Sequence, residues 1–530
     1  MYKPLTIEDV NKKLKPVLIN PDVSYLSENQ LKVIKYLVKV VDIIRDLYFF
    51  QKNKHTKELI SRFKSENKSE LLQLIHIFND TYNQFDDSYF IENTERCAVS
   101  SFYPEDITIE EWNNFLELHP EVKDSFISPY TVIERNKKQE LCSISYSEAY
   151  KAYLAKAAAL LYKASEYVDN FYLKSYLHAQ ANAFTGNDYN EANIRWIQLT
   201  DNNIEPLIGP HELYDDTFLG YKASFTAFIC VNNKKEHLKL NELLKMSGII
   251  QSILPVPVHY KKSNSEKSST MLIVDLIYSS GDGSGPIHTA AFNLPNSQKI
   301  RSEFGSKKVF LKNIIQAKFD GVMTEIGALV LSETDKNKVT FAAYFNHILL
   351  HEISHSLGIG LIKDDNGAYF DVSYYLKELY SIIEETKSDV MGLFAQFYLV
   401  KQCVIIDTNF IESAYTYIVS IIRAIRFGKD NAHGISSVLQ WNYLIRDGAI
   451  IVNPDLVKIT INLHKIEKSI EKFLTAILTI QGEGDYAKAR DFINEYSYTD
   501  EVLLTILNVV KDTPIDVLPV FKYGNEELNK

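Results

Sequence analysis

The chain has 530 residues, enough for two to four domains at ~150 residues each. Apolar residues make up 46 % and charged residues 24 %, an ordinary globular balance, and with 33 Tyr and 28 Phe a sizeable core forms without disulfide staples. The net charge of −11 argues against nucleic acid or an anionic membrane as a partner, and basic stretches such as "KKSNSEK" at 261–267 are short and diluted by Ser and Glu.

The N-terminal "MYKPLTIEDVNKKLKP" lacks an apolar signal core, and no apolar run approaches the ~20 residues of a spanning helix. Cys97, Cys142, Cys230 and Cys403 lie far apart, with no metal-ligand spacing, so the chain reads as a soluble protein of a reducing compartment. The first 200 residues read mainly as helix. "LSENQLKVIKYLVKVVDIIRDLYFF" has a Ser cap and helical apolar spacing, and "SYSEAYKAYLAKAAALLYKASEYV" is rich in Ala, Leu and Lys. From about 205 to 320 the texture changes to strands, with "FTAFICVNN", "MLIVDLIYSS" and "KKVFLKN". Between them lie a Ser/Lys-rich loop at 261–270 and the glycine-rich "GDGSGP" at 281–286. The latter is no phosphate cradle, because no Gly-Lys-Ser/Thr follows it. From about 326 the helical pattern returns and runs to about 510, and no internal repeat is visible. The expected class is therefore α+β, a mixed half followed by a helical half, and a cleft between two such lobes is a usual place for a substrate.

The stretch that carries chemistry is "FNHILLHEISHSLGIG", 345–360. Phe341, Phe345, Ile348, Ile353 and Leu357 mark a buried helix that Gly358 and Gly360 end. Residues four apart share one helix face, so His351 and His355 can bind one metal ion together, while Glu352, a step round, can reach a water on that ion as a general base. His347, one turn earlier, is a core histidine, a supporting group or a competing ligand. A zinc site needs a third ligand and an open fourth position. In "SIIEETKSDVMGLFAQ", 381–396, inside a second helical pattern that begins near Ser373 after the turn "DDNG", Glu385 would be that ligand. Asp389, four residues on, could accept a hydrogen bond from the far nitrogen of a liganding histidine, and Glu384 would be a supporting carboxylate.

These paired motifs resemble the dipeptidyl peptidase III family of zinc metallopeptidases, in the form whose first motif is the pentapeptide "HEISH" and whose second, Glu-Glu-x-x-x-Glu/Asp, is "EETKSD". "LVKVVDIIRDLYFFQ", "NDYNEANIRWIQLTDNNIEPLIGPHELYDD", "AAFNLPNSQKIRSEFGSKKVFLKN" and "NAHGISSVLQWNYLIRDGAI" follow in family-like order, so the resemblance spans roughly residues 30 to 450. It implies a lower lobe around a small five-stranded β-barrel core and a mostly helical lobe holding one Zn2+. With the texture shift, this predicts a mixed lobe at 1–325, with an excursion into the upper lobe near 236–268, a catalytic lobe at 326–510 and a C-terminal tail at 511–530.

The resemblance also implies removal of dipeptides from the free N-terminus of short peptides, in the cytoplasm; a monomer is expected beside it. His351, His355 and Glu385 would bind zinc, with Glu352 as base. His433, in "AHG", would aid the transition state, though alone it reads equally as a satisfied helix histidine. Tyr214, in "HELYDD", would support the oxyanion, though alone it reads as a core residue. Glu212 would face the substrate's α-ammonium, and Asn293 and Asn296, in "FNLPN", would bind the substrate's N-terminal end, though alone they form an Asn/Pro turn. The chain departs from the family's pattern at Phe225-Thr226, where a Phe-Glu pair is frequent, and at "SLGIG", which puts amine recognition and the helix exit in question. Two alternatives stand beside this reading: a peptide-binding protein with impaired catalysis, and a zinc hydrolase of other amides or esters.

Overall fold

The computed structural model describes residues 2–92, 99–261, 270–364, 366–428, 431–453 and 456–523. Cys97, residues 262–269 of the Ser/Lys-rich loop, Asp365 of the "DDNG" turn and residues 524–530 of the tail lie outside the described residues. The chain divides into two compact units. The first comprises Met1–Asn233, Lys267–Ile315 and Asp516–Lys530; the second comprises Lys234–Glu266 and Gln316–Ile515.

In the first unit, β1 (Leu14–Ile19) precedes α1 (Glu28–Lys52). Ser27 and Gln30 close a capping box at the start of α1: the Ser27 hydroxyl accepts from the Gln30 N–H (3.2 Å) and the Gln30 side chain accepts from the Ser27 N–H (3.0 Å). The stripe Val33, Leu37, Val40, Val41, Ile44 and Leu47 is buried, at helical spacing. It packs α1 onto α2 (Lys151–Ser165) and the sheet, while α3 (Phe171–Gly186) lies against α2.

The sheet holds β2 (Ile204–Glu212), β3 (Ser224–Asn232), β4 (Thr270–Gly281), β5 (Ala291–Leu294) and β6 (Lys307–Leu311), in the order β2-β3-β4-β6-β5. Only β4 and β6 run parallel. Every residue of β3 is buried, as suits a strand covered on both faces. β2 carries Pro206 and Pro210, which an edge strand tolerates because one side of its backbone needs no partner. Bulges between Pro210 and Glu212 and between Ile229 and Cys230 add local twist. Within the stretch expected as a tail, β7 (Asp516–Phe521) pairs in parallel with β1, from Leu14 opposite Asp516 to Ile19 opposite Phe521.

The second unit is built on α4 (Phe341–Ser354), α5 (Tyr380–Lys401), α6 (Phe410–Ile425), α7 (Ala432–Arg446) and α8 (Ile466–Glu483). The other four all pack against α5. Its buried residues include Ile383, Val390, Met391, Leu393, Phe397 and Leu399, spread round the helix rather than along one stripe. The helical pattern expected from Ser373 is interrupted. A short helix at Val372–Leu376 gives way to a 3-10 turn at Lys377–Leu379, where Lys377 takes a left-handed φ of 51°, and α5 starts only at Tyr380. No helix among the described residues is long and apolar enough to cross a membrane.

Candidate metal centre

The site starts from the way α4 begins and ends. The Thr340 hydroxyl accepts from the Ala343 N–H (3.4 Å), and Phe345, Leu349, Leu350 and Ile353 bury one side of the helix. The helix stops earlier than its glycines suggest. His355 is the cap, bonded through its N–H to the His351 carbonyl, and Ser356 and Leu357 form tight turns onto the carbonyls of Ile353 and Ser354. Gly358 then takes a φ of +87°, and its N–H is received by Gln251 (2.8 Å). One turn of helix leaves the His351 and His355 rings 4.8 Å apart and nearly perpendicular, with their Nε2 atoms 3.1 Å apart.

α5 comes close to this face because it carries Gly392. A Cβ there would meet the His351 backbone nitrogen at 3.0 Å and the His347 ring at 3.3 Å. From α5, Glu385 sends Oε2 to 3.4 Å from His351 Nε2 and 3.8 Å from His355 Nε2. That oxygen also lies 3.2 Å from His433 Nδ1, yet it is buried and accepts no well-formed hydrogen bond. Two imidazole nitrogens and an orphaned carboxylate oxygen thus converge, with all three donor atoms within 4.8 Å of one another. A buried unsatisfied oxygen is costly, and a divalent cation satisfies all three donors at once. Nitrogen and carboxylate donors in this number fit zinc and leave a position open.

Behind the donors stand the two carboxylates expected to support them. Asp389 Oδ1 accepts from His351 Nδ1 (2.7 Å), and Glu384 Oε1 accepts from His355 Nδ1 (2.9 Å), with the Ser388 hydroxyl at 3.0 Å from the same nitrogen. With Nδ1 engaged, each Nε2 faces inward. Glu384 also takes Lys387 Nζ (2.6 Å) and Gln481 Nε2 (2.8 Å). Burial works to raise the Glu384 carboxyl, but Lys387 and His355 outweigh it and hold it at about 2. Glu385 and Asp389 are likewise held below the usual carboxylate range, burial being outweighed by the neighbouring histidines. Glu352 is half-buried beside His351, and its charge acts on that ring.

His347 is a core histidine. Its Nε2 donates to the Asp389 backbone carbonyl (3.0 Å), its ring meets Tyr417 edge-on at 5.0 Å, and burial pushes its pKa down, so it stays neutral. His433 sits in the first turn of α7. The Asn431 side chain caps that turn at the Gly434 N–H (2.9 Å), and a Cβ on Gly434 would strike the Gly428 carbonyl. The His433 side chain is exposed and its pKa is raised by Glu385, against burial.

The remaining predicted residues lie in the first unit. Glu212 ends β2 and accepts from Asn296 Nδ2 (2.9 Å), which also donates to the His211 carbonyl (3.1 Å). Burial raises the Glu212 carboxyl and Asn296 opposes it. Asn293, in β5, keeps a buried Oδ1 with no hydrogen-bond partner. Tyr214 is 80 % exposed, not the core residue that its type suggests, and its pKa is raised first by Glu212. Thr226 is spent on structure: its hydroxyl donates to the Ser280 carbonyl (3.2 Å) and accepts from the Gly283 N–H (3.3 Å). Sequence reasoning missed Lys387 and Gln481, which hold Glu384, and Gln440, whose amide bonds Asp389 Oδ2 at 2.8 Å. Lys387 alone left a signal, at helical spacing from Glu384 inside the second motif.

A His/His/Glu donor set on two packed helices, with a glutamate beside the first histidine, is the arrangement of a metal-dependent hydrolase. Comparison with known proteins agrees and narrows it. The sequence model of peptidase family M49 matches residues 122–381. DPP III from Caldithrix abyssi is similar in structure at 36 % identity and a TM-score of 0.90, over 97 % of this chain and 98 % of that one. Dipeptidyl-peptidase III from Corallococcus sp. strain EGB is similar at 28 % identity and a TM-score of 0.77, over 98 % of each chain. Nudix hydrolase 3 of Arabidopsis thaliana is 29 % identical over an alignment of 583 positions that covers 99 % of this chain and 75 % of that protein. The chain belongs to the dipeptidyl peptidase III family, peptidase family M49.

Proposed function

We propose that the chain is a zinc-dependent exopeptidase that releases dipeptides from the free N-terminus of short peptides. The observation that carries this reading is the meeting of His351 Nε2, His355 Nε2 and the orphaned Glu385 Oε2 around one point. Those three residues would hold the ion. A zinc ion supplies a Lewis acid that polarises the scissile carbonyl and brings the pKa of a bound water towards ~7. Glu352 takes the proton from the attacking water and hands it to the leaving amine as the C–N bond breaks. Asp389 and Glu384 keep the imidazoles in one tautomer and one orientation. His433, exposed and with its pKa raised, steadies the developing charge, and the Tyr214 hydroxyl supports the oxyanion. Glu212 and the amide oxygens of Asn293 and Asn296 suit a substrate α-ammonium: a carboxylate and carbonyl oxygens are acceptors that a ligand lacking the amine leaves unpaired.

The test combines metal analysis with cleavage of dipeptidyl arylamides and a mixed peptide library. One zinc per chain and products two residues long are expected, and Glu352→Ala should lose ~10²–10⁴-fold in rate while keeping its metal. Full activity in Glu352→Ala overturns the proposed base. Tight peptide binding by metal-free, inactive protein would mark the chain as a peptide-binding relative, and hydrolysis confined to other amides or esters would mark another hydrolase.

A further inference from the structure

We propose that Tyr417 and Gln440 are positioning residues of the metal centre: a one-way chain of hydrogen bonds from the Tyr417 hydroxyl through Gln440 and Asp389 fixes which nitrogen His351 presents. The inference rests on the metal-binding reading above. Each member comes from a different helix: Tyr417 from α6, Gln440 from α7, Asp389 from α5 and His351 from α4. Tyr417 is 2 % and Gln440 0 % exposed, so water does not substitute for a missing partner.

The direction of the chain follows from hydrogen inventories. A phenol has one hydrogen to give, and Tyr417 gives it to Gln440 Oε1 at 2.5 Å. Burial, and Asp389 nearby, keep that phenol protonated. The two ends of an amide have the same shape, so only their partners choose its orientation. With Oε1 claimed by the phenol, the Gln440 NH2 must face Asp389 Oδ2 (2.8 Å) and the Ser436 hydroxyl (2.8 Å). Oδ2 being engaged, Asp389 offers Oδ1 to His351 Nδ1. The same wall braces the Asp389 backbone, because His347 packs on the Tyr417 ring and donates to the Asp389 carbonyl. Without the phenol hydrogen, the amide either keeps a buried oxygen unsatisfied or turns that oxygen onto a carboxylate. Both outcomes loosen Asp389. The support behind His355 works differently, since Glu384 is held by the Lys387 cation as well as by Gln481.

Metal-free wild type, Tyr417→Phe, Gln440→Met and Asp389→Asn are titrated with Zn2+ against a chromophoric chelator, with thermal melting of the metal-free proteins alongside. Gln396→Met is the control for loss of an equally buried amide, bonded to the Ala343 carbonyl and Ser413 rather than to the site. Tyr417→Phe and Gln440→Met should each raise the zinc Kd ~10-fold or more, the usual weight of a group that orients a metal ligand. Gln396→Met should lower the melting temperature without that rise. Tyr417→Phe should add little to Asp389→Asn, because the first acts through the second. Two variants at separate links keep the test open if either fails to fold. A wild type that binds one zinc, with an unchanged Kd in both variants or fully additive effects with Asp389→Asn, overturns the relay alone. A wild type that takes up no zinc overturns the metal reading and the relay with it.

Discussion

The donor cluster of the second unit and the polar group of the first are made of similar side chains and are held in opposite ways. Around His351 and His355 each supporting carboxylate has further partners of its own, Gln440 for Asp389 and Lys387 with Gln481 for Glu384, so the donors point inward from a rigid frame. In the first unit Glu212 has Asn296 on its carboxylate, Tyr214 is exposed, and the side-chain Oδ1 of Asn293 is left without a partner. A frame that closes on itself suits a permanent resident. An acceptor left open with no such supports behind it suits a transient one, because a visiting ammonium gains most where acceptors are still open.

Breaking the frame should give the largest effect. His355→Ala or Glu385→Ala should take zinc uptake from one per chain to near zero, and activity with it, as read by metal analysis after gel filtration. The two supports should then part company. Glu384→Gln leaves Lys387, only 2 % exposed, without its carboxylate, so it should cost ~3 kcal/mol of stability in denaturant unfolding as well as zinc affinity. Asp389→Asn loses contacts with neutral partners and with a ligand, so it should weaken zinc ~10–100-fold with a smaller loss of stability. A milder effect belongs to the first unit: Glu212→Gln should raise KM ~10-fold for peptides with a free amino end and leave the zinc Kd unchanged. The smallest is a dependence on pH. Burial, and then Asp215, push the Asp282 carboxyl up to about 7. A raised folded-state pKa means stability that is complete below the unfolded value of 3.8 and lost as pH rises through about 7. Asp282→Asn should therefore raise the melting temperature by a few degrees at pH 8 and much less at pH 5.

Much of this was legible in the sequence where the signal is local. The Ser27 cap, the apolar stripe of α1 and the β-rich runs of β3, β4 and β6 depend on neighbours a few residues away, and they form where their patterns put them. β2 was not marked as a strand because two prolines and a glycine interrupt "IEPLIGPHE"; its edge position, a tertiary fact, makes them tolerable. The interruption at Lys377 was hidden because a lysine carries no sign of a left-handed backbone. In the site, spacings of four residues predicted which side chains share a face. Partners from other helices, such as Gln440 and Tyr417 behind Asp389, leave no mark in any short window. The exposure of Tyr214 was equally unreadable, since a tyrosine's type favours burial and only the loop after β2 decides otherwise.

The pairing of β1 with β7 has a consequence for biosynthesis. A nascent chain that has emerged as far as Ile315 carries all of β2 to β6, yet β1 still lacks its neighbour, which is translated only after Gln316–Ile515. Domains that fold on the ribosome tend to mature in the order in which they are made. Here the unit begun first is completed last, and until residues 516–521 arrive the backbone of β1 is an open edge to which a stray strand could anneal.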